Sequence, residues 1–556
     1  MKIICASLGG CVHTAGLLRF TQLAQEQGHR CTYLGGAVPI DKLIGSIIEI
    51  EPDMAALSYR LSPNGLRGIL DELFVQLSIR ETPHIDFWFG GTPETVGVAR
   101  TYEPFTRFFD GSETEKEVLH ALTDTAPGDH QVHIPPQTLV ERIKWKAPYP
   151  LLRHHIGLPT LRQTSQSIRS LAKSGVLDII SLAPDQNAQQ YWFHPHKMDP
   201  TQDGAGGAPF RDRKDFRTMY MASRTGNYPL LRCYSGTQDI IPFSQMLIET
   251  IQNAWAAIPL TWYSEMDRRS ERPLAQAISE NQEAIRYNAD KGLPVEINEA
   301  HQWGLRFAHD AMEVAVSAIA VHNAKVLGVK EHIMQFMLCT PPEISPAMDL
   351  AKALAKWEMA IEIAHTTSIR PMRIIKMIRT GLLSFRTNPF RSIGQLTGSM
   401  MIGSFLRPEI VHVVAYCEAI RRASSRVIIE SATMVQQIME ESNKGLPDCT
   451  ADQKIRDRKE QLKDEASQIL EAIRNLDRSN LDPLCDPVIM EKAIQIGILD
   501  APGLGTYGCE KKIRTQVVHG RNEVIDDFGQ PITESNRLAM VFSHQRKSTM
   551  KPTVQQ

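Results

Sequence analysis

The feature that most constrains this chain is an alternation of short apolar strands with amphipathic helical runs, carried twice along its length. Over about the first 110 residues, strands are expected at Ile3–Ala6, Cys31–Leu34, Ala55–Ser58, Ile85–Phe89 and Phe105–Phe109. Between them, Leu17–Gln27, Ile40–Ile50 and Leu66–Leu77 place apolar residues at helical spacing. Alternation of this kind builds a parallel, doubly wound α/β sheet of the flavodoxin-like, Rossmann-like type. Ligands of such sheets bind outside the carboxyl ends of the strands, at a topological switch point. We assign this first domain to residues 1–125.

A second series begins at Tyr149. Strands are expected at Leu151–Arg153, Asp178–Leu182, Pro229–Cys233, Pro259–Ser264, Val295–Asn298, Ile333–Leu338 and Ile410–Ala415, with a further one near Leu382–Phe385. Helices fall between them, clearest at Leu274–Ala289, Ala308–Leu327 and Pro346–Ala364. Seven or eight βα units predict a TIM-type (β/α)8 barrel over 149–445. A linker at 126–148, marked by Pro127, Gly128, Pro135 and Pro136, precedes it, and a helical and irregular extension, 446–556, follows. Gln189–Arg224 reads as a long active-site loop, and Ala451–Asp477 as a solvated, charged helix.

Composition narrows the function classes. The formal net charge is -2, with 42% hydrophobic and 22% charged residues. No excess of basic charge points to nucleic acid or an anionic membrane. No stretch approaches the roughly 20 apolar residues that span a bilayer. The opening MKIICASLGGCVH reads as a first strand and not a signal peptide. Nine cysteines, never spaced CxxC, point to reduced thiols and a cytoplasmic location.

Three short motifs follow strands of the first domain. Gly9-Gly10-Cys11-Val12-His13-Thr14-Ala15-Gly16 follows the first, Ser58-Tyr59-Arg60 ends the third, and Gly90-Gly91 ends the fourth. A flavodoxin-like sheet carrying an unrelated histidine is one reading. Taken together, though, the trio resembles the cobalamin-binding domain of mutases and methionine synthase, whose pattern is Asp-x-His-x-x-Gly, then Ser-x-Leu, then Gly-Gly. The resemblance implies that His13 is the lower cobalt ligand, that Ser58 bonds the displaced nucleotide tail, and that Gly16, Gly90 and Gly91 leave space for the tail. A neutral imidazole suits a borderline metal. Two positions depart from the pattern: Cys11 stands where the family has the Asp that orients the histidine ring, and Arg60 stands at the Leu.

The second domain resembles the catalytic subunit of glutamate mutase (methylaspartate mutase). The similarity runs through Leu231–Asp239, Gly292–Glu299, Gly497–Pro502 and Asp527–Glu534. It implies a fused arrangement, cobalamin domain first, with adenosylcobalamin as cofactor. That family grips a dicarboxylate with three arginines. Arg153 and Arg232 match the first and last, while Gln189 falls at the middle one. Glu265 matches the carboxylate that meets the substrate amino group, and Glu418 one near the cofactor's ribose; the family's lysine four residues earlier is Val414. A strand-end Arg or Glu can equally be a loop anchor or half of an ion pair.

The run from Thr366 to Pro408 carries basic residues, Arg379 among them, with no Asp or Glu. It reads as a solvated face paired with acids elsewhere, or as an anion site for a carboxylate or phosphate or a subunit contact. Ile374, Ile375, Ile378 and Leu382 at helical spacing favour an amphipathic helix that packs. His194, His196, His154 and His155 lack metal-ligand spacing and read as loop or surface residues. Three functions remain open. The first is an adenosylcobalamin-dependent isomerase acting on a small carboxylate-bearing substrate with fewer anionic groups than glutamate. The others are a corrinoid methyltransferase and a non-catalytic cobalamin-binding protein. A homodimer is the expected assembly, with neither nucleic acid nor membrane as partner.

Overall fold

The computed structural model describes residues 1–80, 85–113, 115–123, 134–365, 371–505, 507–508 and 513–549. Of the positions discussed above, Pro127, Gly128 and Thr366 lie outside them. The chain divides into two compact units, Met1–Val132 and His133–Gln556.

The first unit has strands β1 (Lys2–Leu8), β2 (Arg30–Val38), β3 (Met54–Tyr59), β4 (Asp86–Gly91) and β5 (Phe105–Phe109). They form one parallel sheet in the order β2-β1-β3-β4-β5, a flavodoxin-like arrangement. Helices α1 (Ala15–Glu26), α2 (Ile40–Ile50), α3 (Pro63–Ile79), α4 (Pro93–Ala99) and α5 (Glu115–Thr123) connect and cover it. In α3 the buried residues are Leu66, Leu70, Leu73 and Leu77, one per turn. Each contributes roughly 1.5–3 kcal/mol by leaving water. β3 is buried at all six positions, as a central strand covered on both faces must be. Helix α4 has no counterpart among the expected elements, because its seven residues are too few to display a period.

The second unit opens with α6 (Leu139–Lys146), inside the segment read as linker. Eight parallel strands follow: β6 (Leu151–Ile156), β7 (Ile179–Leu182), β8 (Leu230–Cys233), β9 (Ala256–Ile258), β10 (Val295–Ile297), β11 (Glu331–Leu338), β12 (Arg373–Thr380) and β13 (Ile410–His412). Their order is β8-β7-β6-β13-β12-β11-β10-β9, and an isolated parallel bridge between Tyr234 and Ala257 brings the two edges together. The result is a nearly closed (β/α)8 barrel. Leu151, Ile179, Leu230, Ile333, Ile375 and Ile410 form an apolar lower layer that Leu139 and Ile143 of α6 help to fill.

Several of the expected elements are corrected here. The seventh strand is Arg373–Thr380; a short 3-10 turn, Leu382–Ser384, stands where a strand was expected. The run reads as a helix only because both faces of a barrel strand carry apolar residues, which blurs period 2 into period 3.6. The fourth strand is Ala256–Ile258, so Pro259–Ser264 and Glu265 belong to the loop beyond it. The segment Gln189–Arg224 is not a bare loop, since it contains the capped helix Arg213–Ser223.

The C-terminal extension is tied to the barrel by buried charge. Helix Gln453–Arg474 buries eight residues instead of standing free in solvent. Arg458 lies 3.1 Å from Asp310 and 3.1 Å from Glu523, and His309 lies 3.0 Å from Glu534. No helix among the described residues is long and apolar enough to cross a membrane.

Candidate functional site

In the first unit, β1 and β3 are neighbours although β2 lies between them in sequence, so their carboxyl ends flank the switch point. A cavity of about 230 Å³ opens there, lined by His13, Gly16 and Leu17 of the β1–α1 region, Ser58 and Arg60, Gly90 and Gly91, and Phe109 and Val118. Its floor is apolar, with Phe20 and Trp88 in edge-to-face contact at 5.9 Å between ring centres. The loop after β1 and the ends of β3 and β4, read from sequence as one motif, meet on this cavity.

The glycines have different tasks. A Cβ built on Gly90 would meet only Phe109 O, at 3.9 Å, so Gly90 keeps cavity space open. A Cβ on Gly91 would lie 2.2 Å from Thr95 Oγ1 and 2.8 Å from Tyr59 O, so Gly91 permits the close packing of β4 on the start of α4. A Cβ on Gly16 would meet nothing within 4 Å. Ser58 is 6% exposed and its Oγ has no hydrogen-bond partner. An unpaired buried hydroxyl costs free energy unless a ligand satisfies it.

His13 is exposed, ahead of α1. Its Nδ1 lies 3.8 Å from the buried Cys11 Sγ, which also accepts the Arg60 N–H at 3.3 Å. If Nδ1 carries the proton and donates to sulfur, the Nε2 lone pair is left for a metal. The Cys11 sulfur is a weaker acceptor than the carboxylate that the resemblance leads one to expect at this position. These features fit a corrinoid: a recess for a tail, a hydroxyl without a partner, and a solvent-facing imidazole held at one nitrogen.

Residues 1–119 match the family described as the B12 binding domain. The N-terminal unit is a B12-binding domain. No curated protein matches the chain. Among solved structures, a cobalamin-binding protein from Desulfitobacterium hafniense DCB-2 shares 22% identity over 22% of this chain and 59% of that one, with a TM-score of 0.19. The cobalamin-dependent S-adenosylmethionine radical enzyme OxsB shares 14% over 89% and 71%, with a TM-score of 0.21. A GH138 enzyme targeting pectin rhamnogalacturonan II shares 9% over 89% and 56%, with a TM-score of 0.32. At these scores the likenesses carry no functional argument. The B12-binding domain indicates a cobalamin cofactor.

The barrel gathers a second set of residues. Arg153 is the third residue of β6, below its carboxyl end, and Arg232 is the penultimate residue of β8. Both are buried, and both face the barrel interior, because they meet one carboxylate on β10. Arg232 Nη2 lies 2.9 Å from Glu296 Oε2, and Arg153 Nη1 lies 3.9 Å from it. Trp255 Nε1 donates to the same oxygen at 2.7 Å. Arg153 also donates from Nε to Ser181 Oγ at 2.9 Å. Burial would raise the Glu296 carboxyl, but Arg232 and Arg153 overcome it and hold the group at about 2. Burial and the neighbouring Arg232 push Arg153 down to about 9.

On the same inner face stand His155, Tyr234, Arg379 and His412, with Arg379 and His412 in register with Arg153. The His155 and His412 rings are 4.5 Å apart, and both groups are pushed well below the ordinary histidine range, by burial and then by Arg153. Glu296 and Tyr234 were not singled out from sequence, and Arg379 stood only among the basic residues of the run from Thr366 to Pro408. A period-2 reading of Arg373–Thr380 puts Ile375, Met377 and Arg379 on one face, and would have found the last.

The remaining sequence candidates lie elsewhere. Glu265 is exposed on the loop after β9, where Oε1 accepts from Leu274 N at 3.1 Å and Tyr507 Oη at 3.3 Å. Gln189 donates its amide to Pro184 O at 2.8 Å. Glu418 accepts from Ala415 N at 2.7 Å in the turn after β13 and lies 3.6 Å from His154 Nε2. The interior therefore joins Arg153 to Arg232 but not to Glu265.

Proposed function

We propose that the protein is an adenosylcobalamin-dependent isomerase that rearranges a small carboxylic or amino acid held inside the barrel. The observation that carries this reading is Arg232. It is fully buried, it shares only Nη2 with Glu296, and its Nε and Nη1 have no partner. The two open donors lie on different edges of the guanidinium, and a carboxylate can meet one of them through a charge-assisted bond, alone or in a fork with the neighbouring Nη2. Arg153, beside the same Glu296, adds positive charge to that position. Adenosylcobalamin, when bound, supplies a carbon-centred radical through homolysis of its cobalt–carbon bond. The chain's own part is to bind the acid, orient it and keep water away from it.

The test is isotopic. Protein loaded with adenosylcobalamin carrying tritium at C5′ is incubated with a panel of small carboxylic and amino acids. Tritium should pass into one of them and into its rearranged isomer. Methyl transfer from methylcobalamin with no such exchange would replace this reading with a corrinoid methyltransferase. Neither activity would leave a cobalamin-binding protein.

A further inference from the structure

The inner face of the barrel leaves buried donors without acceptors. Besides Arg232 Nε and Nη1, the amide nitrogen of Gln335 has no hydrogen-bond partner. Gln335 is more than nine-tenths buried, at 8% exposure. Gln335 pairs in register with Met377, whose sulfur receives Arg153 Nη1, so Gln335 shares that inner face.

Tyr234 adds a further donor. Arg153 Nη2 contacts His155 Nε2, and a guanidinium can only donate, so Nε2 must accept. The neutral His155 ring then carries its proton on Nδ1, 3.1 Å from Tyr234 Oη. The same oxygen lies 3.2 Å from Nε2, which Arg153 already occupies. Tyr234 therefore receives from His155, and its own O–H is free to donate. The Tyr234 ring also lies under the Arg232 guanidinium, 4.7 Å from ring centre to carbon.

The charges point the same way. Arg153, Arg232 and Arg379 all act on this space, and the carboxylates acting on them are Glu296 and Glu418. Glu296 already faces two guanidiniums, so an ammonium group against its other oxygen would be a third cation at one carboxylate. Glu418 is committed to the Ala415 N–H and His154. Glu265, the carboxylate that could otherwise have met an amino group, is on the exposed loop.

We infer that the barrel takes a carboxylic acid without an amino group, held by Arg232, Tyr234 and Gln335. The inference rests on the proposed function only in calling that acid the substrate. It departs from the amino-acid substrate that the glutamate mutase resemblance implies.

The experiment is equilibrium binding to the full chain loaded with cobalamin, using two matched pairs: glutarate against glutamate, and succinate against aspartate. The acid without the amino group should bind at least about tenfold more tightly in at least one pair. Tyr234→Phe, at a half-buried position, should weaken that acid by about tenfold and leave cobalamin binding unchanged. Equal or tighter binding of the amino acids would overturn the inference. So would the absence of binding by all four at millimolar concentration, or an unchanged affinity in Tyr234→Phe. Selective glutarate or succinate binding with no tritium exchange would reject the isomerase and leave the preference standing. Exchange into amino acids alone would do the reverse.

Discussion

The cobalamin recess and the barrel interior are built on opposite principles. The recess is made by omission: Gly90 carries no side chain into it, aromatic rings floor it, and Ser58 is a polar atom left open. The barrel interior is made by commitment: two buried arginines and a glutamate are desolvated in advance and joined to one another before anything binds, with Arg232 Nε and Nη1 still open. Space awaiting a large group tolerates small polar changes and fails when filled. A charge network tolerates changes in shape and fails when one partner is lost.

The largest effect should follow Glu296→Gln, which leaves Arg232 and Arg153 without their counter-charge. Removing one partner from a buried pair costs about 3–5 kcal/mol, measurable by urea unfolding. The wild-type pH dependence carries the same signature. The folded carboxyl sits at about 2, below its unfolded value of roughly 4.3. Its contribution is therefore complete above the unfolded value and is lost as pH falls toward 2. Glu296→Gln should lack that part of the acid destabilisation.

Next in size are the two neighbouring glycines. Gly90→Leu should fill the recess and weaken cobalamin binding by about a hundredfold or more, on the order of 2.7 kcal/mol, with little change in Tm. Gly91→Ala should do the opposite, costing about 1–3 kcal/mol of stability through overpacking against Thr95 and Tyr59 while the folded fraction still binds. Titration of the cofactor and thermal melts separate the two. If both variants lose binding alone, the division of labour between the glycines is wrong.

The smallest effect should be that of Ser58→Ala. Loss of one hydrogen bond to the ligand should weaken binding by up to about tenfold. Without cofactor the variant should be no less stable than the wild type, because the hydroxyl it removes has no partner. A destabilised apo variant would mean that the hydroxyl serves the fold.

The two regions also differed in how much could be read from sequence. In the first unit the candidate residues sit in the last positions of strands or in the loop just after one, so Cys11, His13, Ser58 and Gly90 are announced by local motifs. In the barrel, function lies on strands, where a residue's direction depends on its parity. Glu296 and Tyr234 lay inside the segments that carried the resemblance, yet only the register reveals that they face inward. Misplacing the fourth strand by three residues promoted Glu265 to a site it does not reach, and reading Arg373–Thr380 as a helix hid Arg379.

The claim on which everything else rests is that cobalamin binds with His13 beneath the cobalt. The direct measurement is electron paramagnetic resonance of the cobalt(II) form bound to protein labelled with nitrogen-15 histidine. The expected spectrum has each cobalt line split into a doublet by that nitrogen, and His13→Gly should lose the doublet while the other histidines keep their label. Triplet splitting in the labelled wild-type protein would show that an unlabelled nitrogen, the cofactor's own base, is the ligand. That result would contradict the assignment of His13.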